Sequence, residues 1–385
     1  MNGTSASRAT GAASLQRRQA ARRISRRTFH AAQRRYSRAK GHTDQASKMG
    51  ETMRMDWRVM TVAAIVCTGT LFTGIETVAQ PMPKEIAARV EIYAIPSLTI
   101  SDQQFLSGDA NGKAVTVAGE FRIAQGAGRL PVIVMMHGSG GVGANIEPWA
   151  HQFNAMGIST FVIDGFSGRG LTQTNTNQAL LGRLNFILDI YRSLDILAKH
   201  PRVDPERIVL MGFSRGGQAA LYASLTRFHK LWNKSGAQFA AYVPFYPDCS
   251  TSYGGDTEVA GVPIRIFHGT PDDYNPVASC KAYIARLKPA GVDVALTEYP
   301  DSPHGFDAGL LGIDTVTVAT NAQTARNCHL KEGEGGVLMN ADTQQPFSYK
   351  DACIELSPHV GGNPTTAEQA RSAVSDFLRA LLKLG

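Results

Sequence analysis

A serine stands at the one point where this chain must pass from a buried strand straight into a helix, in the run Gly212-Phe213-Ser214-Arg215-Gly216. The apolar stretch Ile208-Val209-Leu210-Met211 before it reads as a strand covered on both faces. The stretch from Gly217 to Ala223 reads as the start of a helix. A turn this tight lets helix and strand pack closely only with glycine at its two flanks, and it drives the serine hydroxyl out beyond the end of the sheet. Ser214 is therefore a candidate nucleophile, and the chain must supply a sheet behind it.

The remaining pattern supplies that sheet. Apolar runs predict strands over 115–123, 132–136, 159–163, 240–245, 264–267 and 294–299. Helical spacing predicts helices over 148–156, 177–199, 281–288 and 367–384, with a turn at 201–205. Alternating buried strands and helices imply an α/β fold, a doubly wound and mostly parallel sheet flanked by helices. We expect one catalytic domain over 81–385. Residues 314–357, rich in Gly, Asn and Gln, read as an irregular insertion or cap near the site.

The formal charge of +7 is concentrated at one end. Residues 1–58 carry 12 Arg and 2 Lys against Asp44, Glu51 and Asp56, whereas residues 81–385 carry 25 basic and 28 acidic side chains. The domain therefore offers no electrostatic reason to bind nucleic acid. Residues 1–56 form a basic tail too poor in apolar groups to fold alone, a targeting segment or one that is not translated. Its Ser25-Arg26-Arg27-Thr28-Phe29 resembles a twin-arginine signal but lacks an apolar run directly after it. Residues 57–79 combine a basic flank, an apolar core over 59–75 and small residues at the end, which predicts a signal peptide cleaved near Ala79 and an exported, periplasmic or secreted product. Membrane contact is expected only if the 59–75 segment stays uncleaved. With Cys67 in that segment, four cysteines remain for the domain, Cys249, Cys280, Cys328 and Cys353, and these allow three pairings.

A serine hydroxyl needs a base to take its proton and an acid to orient that base. In a sheet of this kind both follow the serine in chain order, each in a loop after a strand. His268-Gly269-Thr270-Pro271-Asp272-Asp273 follows the 264–267 strand, and Pro303-His304-Gly305-Phe306 follows the 294–299 strand. Asp272 is the expected acid, with Asp273 adjacent as the alternative, and His304 is the expected base, with His359 in reserve. His137 and His268 lie at strand ends and are read as structural. The glycine turn His137-Gly138-Ser139-Gly140-Gly141 can aim N–H groups inward, so the backbone N–H groups of Ser139 and Arg215 are the candidate oxyanion donors. That turn lacks the Lys-Ser/Thr ending of a phosphate loop, and no spacing suggests a dinucleotide site. No C-x-x-C spacing marks a metal site. No cofactor and no metal are expected.

Taken together, these four motifs resemble the dienelactone hydrolase-like branch of the α/β-hydrolase superfamily over roughly residues 110–310. The resemblance implies an α/β-hydrolase fold, a serine or cysteine nucleophile, and hydrolysis of small-molecule esters or lactones without a cofactor. The namesake enzymes carry cysteine as nucleophile, so Ser214 favours a general carboxylesterase. On this layout Cys249 follows the strand after the serine turn and Cys280 starts the helix after the acid loop. A Cys249–Cys280 bridge would brace the acid loop, and a Cys328–Cys353 bridge would staple the insertion. A serine peptidase, a thioesterase or an acyltransferase would use the same machinery. A non-catalytic binding protein on this fold would be expected to lack a member of the Ser-Asp-His set.

Overall fold

The computed structural model describes residues 82–311 and 315–384. The basic tail 1–56, the 57–79 segment with its cleavage point near Ala79, and Cys67 lie outside the described residues. In chain order the strands are β1 (Arg89–Thr99), β2 (Lys113–Ile123), β3 (Leu130–Met136), β4 (Ser159–Asp164), β5 (Val203–Phe213), β6 (Ala241–Phe245), β7 (Thr251–Ser252), β8 (Ile264–Gly269) and β9 (Val294–Tyr299). All but β7 join one eight-stranded sheet in the order β1-β2-β4-β3-β5-β6-β8-β9. β1 and β2 run antiparallel to their neighbours, and the six strands from β4 to β9 are parallel. This is the doubly wound, mostly parallel sheet that the alternating pattern implied, in the α/β-hydrolase arrangement that the motif resemblance implied.

The helices are α1 (Asp102–Ser107), α2 (Ile146–Ala155), α3 (Asn185–Ala198), α4 (Arg215–Tyr222), α5 (Thr226–Trp232), α6 (Val277–Leu287) and α7 (Pro364–Leu382). Two apolar layers hold them to the sheet. Phe121, Phe161 and Leu210 pack with α3, α4 and α6 on one side. Trp149, Phe153, Phe213 and Phe245 pack with Val374 and Leu378 of α7 on the other. Strands covered on both faces need no polar alternation, which is why the central ones read as unbroken apolar runs. No helix among the described residues is long and apolar enough to cross a membrane.

Two expectations change. The helix expected over 177–199 begins only at Asn185. Before it, Gln178–Leu180 makes a single 3-10 turn, and the carbonyls of Leu181 and Gly182 accept from the buried Arg215 side chain instead of continuing a helix. The turn expected at 201–205 is largely absorbed into β5, whose register against β3 is irregular around Pro205, where a proline can sit only off the regular ladder.

The described part of the 314–357 segment is short strands: β10 (Thr317–Val318), β11 (Gln323–Thr324), β12 (Leu330–Glu332), β13 (Leu338–Asn340), β14 (Gln345–Pro346) and β15 (Glu355–Leu356), with β16 (His359–Val360) just beyond. β12 pairs parallel to β7, and Glu332 takes a two-pronged ion pair from Arg227 of α5 at 2.7 Å. Disulfides join Cys249 to Cys280 and Cys328 to Cys353. The second closes a segment with little core of its own, so its loss acts mainly by freeing the unfolded chain. Replacing Cys328 and Cys353 by serine is expected to lower the unfolding free energy by about 2–4 kcal/mol, read from urea midpoints. An unchanged midpoint would contradict that contribution.

Candidate active site

Ser214 joins β5 to α4 with φ 56° and ψ −117°, a conformation that costs a non-glycine residue about 1–3 kcal/mol. Its N–H donates to the Phe245 carbonyl of β6 (3.0 Å), and its carbonyl accepts from Gln218 N–H (2.8 Å). The turn closes only because its flanks lack side chains. A Cβ on Gly212 would lie 2.1 Å from the Gly216 carbonyl oxygen, and one on Gly216 would lie 2.2 Å from that of Met136.

His304, in the loop after β9, meets Ser214 Oγ through Nε2 at 2.8 Å and Asp272 Oδ2 through Nδ1 at 2.8 Å. Asp272 can only accept, so Nδ1 carries the proton and Nε2 is free to receive the serine's. The second oxygen of Asp272 accepts from the N–H groups of Tyr274 (2.9 Å) and Asn275 (2.8 Å). The imidazole lies between Tyr274, stacked at 4.7 Å, and the edge of Tyr246 at 4.8 Å. Tyr246 donates in turn to Asp307 (2.5 Å), a buried carboxylate that also accepts from Asn145 and Trp149 at 3.0 Å.

The other candidates fall elsewhere. Asp273 turns outward to His359 Nδ1 (2.8 Å) and Arg326 (3.0 Å), and these partners hold its carboxyl below the usual range despite partial burial. His359 is thus exposed and committed to Asp273, away from Ser214. His268 is buried behind Asp272, its Nδ1–H donating to the Gly269 carbonyl (3.0 Å), and burial lowers its pKa. His137 donates from Nδ1 to the Gly138 carbonyl (2.7 Å) and accepts at Nε2 from Gly165 N–H (3.1 Å). Burial lowers its pKa to about 4, so it is a neutral brace for the glycine turn.

That turn packs against the serine: a Cβ on Gly138 would come within 3.2 Å of Ser214 Cβ. The backbone N–H groups of Ser139 and Arg215 donate to no protein acceptor among the described residues. Both residues border the cavities at Ser214, which leaves their N–H groups available to a developing oxyanion.

Two cavities meet at Ser214. One, of about 40 Å³, is polar and lined by Gln178, Arg183, Arg215, Asp248 and Tyr349 among others. The other, of about 250 Å³, is mostly apolar and lined by Phe213, Tyr246, His304, Ala319 and Val360 among others. Gln178, Arg183, Tyr246, Tyr274, Asp307 and Tyr349 escaped the sequence reading. Tyr274, directly after the paired aspartates, and Asp307, directly after Pro303-His304-Gly305-Phe306, stood beside motifs that could have marked them. Among the described residues, no group of three His, Cys, Asp or Glu side chains is placed to hold a metal.

Residues 118–329 match the model of the family described as "Dienelactone hydrolase family". Among curated proteins, the chain is 35% identical over 101 residues to an acyl-protein thioesterase 1 of Gibberella zeae, covering 26% of this chain and 42% of that protein. The chain thus spans about two fifths of the length of that relative. Among solved structures it is similar to a dienelactone hydrolase-like promiscuous phosphotriesterase from metagenomic libraries (16% identity, 77% of this chain and 98% of that one, TM-score 0.49). It is also similar to native esterase 2 of Thermogutta terrifontis (20% identity, 58% of this chain and 85% of that one, TM-score 0.42).

The two buried histidines give a stability signature. Unfolded, each ring takes up a proton near its ordinary value of about 6.5. Folded, each resists it, so the unfolded chain binds more protons and stability falls as pH is lowered through that range. With its folded value at about 4, His137 alone is expected to cost about 2 kcal/mol between pH 7 and pH 5. Urea titrations at the two pH values check this, and stability that rises on acidification would contradict it.

Proposed function

This chain belongs to the dienelactone hydrolase family and is a hydrolase acting on ester bonds, and from that premise we propose that it cleaves carboxylic esters through Ser214, His304 and Asp272. The observation that carries the reading is the unbroken hydrogen-bonded run from Ser214 Oγ through His304 to Asp272, at 2.8 Å for each link. His304 Nε2 takes the hydroxyl proton as Ser214 Oγ attacks the acyl carbon. Asp272 keeps the proton on Nδ1 and stabilises the imidazolium that forms. The N–H groups of Ser139 and Arg215 receive the negative charge of the tetrahedral intermediate, each such donor being worth about 3 kcal/mol. His304 then gives its proton to the departing alcohol, and water attacks the acyl-enzyme with His304 again as base.

The same steps serve a thioester, and the 101-residue likeness to an acyl-protein thioesterase keeps that reading in second place. Two disulfides fit a protein working in an oxidising compartment, so we place the mature enzyme outside the cytoplasm.

Rates on 4-nitrophenyl butyrate test the assignment. Ser214→Ala is expected to abolish turnover, and Asp272→Asn to lower kcat about ten-thousandfold, as losing the orienting acid does in serine hydrolases. Asp273→Asn is expected to change kcat by less than about tenfold, because its carboxylate faces Arg326 and His359. Equal effects of the two aspartate variants would contradict the assigned acid.

A further inference from the structure

The two cavities at Ser214 differ in a way that bears on the substrate, and the inference rests on the function proposed above. His304 must protonate the leaving oxygen, and it lines only the larger, mostly apolar cavity. The alcohol part of an ester therefore departs on that side, which leaves the small polar cavity for the acyl group. A space of about 40 Å³ takes a few waters or a short chain.

The charges around the small cavity are unbalanced. Arg183 and Arg215 both line it, and both are buried. Arg183 is ion-paired to Asp248, and the Gln218 amide, assigned with its oxygen toward Arg183 because only that orientation gives both its ends partners, accepts from Nη2 at 2.8 Å and Nε at 3.3 Å. Among the described residues Arg215 has no carboxylate partner within ion-pair distance. It donates to Gln178 Oε1 (2.8 Å) and to the carbonyls of Leu181 and Gly182. Asp102, the other carboxylate acting on both arginines, is partly solvated and forms an ion pair with neither. Among the described residues Nη1 of Arg183 and Nε of Arg215 are buried with no acceptor, and Tyr349 lines the same cavity. A buried guanidinium with open donors is costly unless an anion meets it. The larger cavity offers the opposite: its charged wall is Asp307, already satisfied by three donors, and it repels an anion.

We propose that the enzyme hydrolyses half-esters of short dicarboxylic acids, with the free carboxylate of the acyl group seated at Arg183, Arg215 and Tyr349 and an apolar alcohol in the larger cavity. Ser214 Oγ adds to the acyl carbon, and as the tetrahedral intermediate collapses the bond from acyl carbon to alcohol oxygen breaks and His304 passes the serine proton to the alcohol. Water then displaces Ser214, releasing the free dicarboxylate and one proton.

The test compares kcat/KM of the full-chain protein for benzyl hydrogen succinate, benzyl butyrate and the butyrate ester of 4-(hydroxymethyl)benzoic acid, which carries its carboxylate on the alcohol side. The half-ester is expected to exceed benzyl butyrate at least tenfold, and the reversed substrate to fall below both. The double variant Arg183→Gln/Asp248→Asn, which removes both members of the ion pair, is expected to lower the half-ester to butyrate ratio tenfold or more. Tyr349→Phe, which removes a hydroxyl and leaves the ring that lines the cavity, is expected to lower it about threefold. Wild-type turnover of benzyl butyrate equal to or faster than that of the half-ester would overturn the carboxylate site while leaving ester hydrolysis intact. An unchanged ratio in the folded double variant would overturn it as well. Absence of turnover on all three esters would overturn this inference together with the proposed function.

Discussion

The close crossing of three backbones at Ser214 is the constraint on which the rest of the site depends. β5 ends, α4 begins, and the strand-end loop after β3 passes over both, with carbonyl oxygens about where side chains would otherwise sit. The serine is held at a positive φ, and its strain of about 1–3 kcal/mol must be offset by the layer beneath it. Phe213 packs there against Trp149 and Phe245, and fully burying such a ring is worth about 1.5–3 kcal/mol. The sheet thus pays for the strained turn, and the same compression that forbids side chains at Gly212 and Gly216 brings Gly138 of the glycine turn against the nucleophile.

Around that turn the polar groups are sorted by what they can accept. Asp272 uses one oxygen for His304 and the other for two backbone N–H groups, so it holds the imidazole without freedom to swing. His137 and His268 are buried as neutral rings and brace the two loops, and His304 remains the histidine that touches the serine. The 314–357 segment reaches the same place from outside. Its Arg326 draws Asp273 away from the site, and its Tyr349 closes the polar cavity.

Much of this was legible in the sequence because it follows from local rules. The strand at Val294–Tyr299 has the bounds its apolar alternation gave, and strand, Gly-x-Ser-x-Gly and helix follow one another as read. What escaped was set by distant parts of the chain. Residues 177–184 have helical spacing, but Gln178 is drawn to Ser139 and Arg215, and Arg215 takes the carbonyls that a helix needs. Asp272 and Asp273 are chemically identical neighbours, and only Arg326 and His359, contributed from 53 and 86 residues away, decide which one turns outward. Arg183 and Tyr349 belong to no motif, since a pocket wall carries no local pattern.

The most direct measurement is the stoichiometry and position of covalent labelling by a fluorophosphonate. Intact mass should show one adduct per chain, and peptide mapping should put it on Ser214, with labelling lost in His304→Ala. An adduct on another serine, or none on a folded protein that binds esters, would contradict the claim that this turn holds the activated nucleophile.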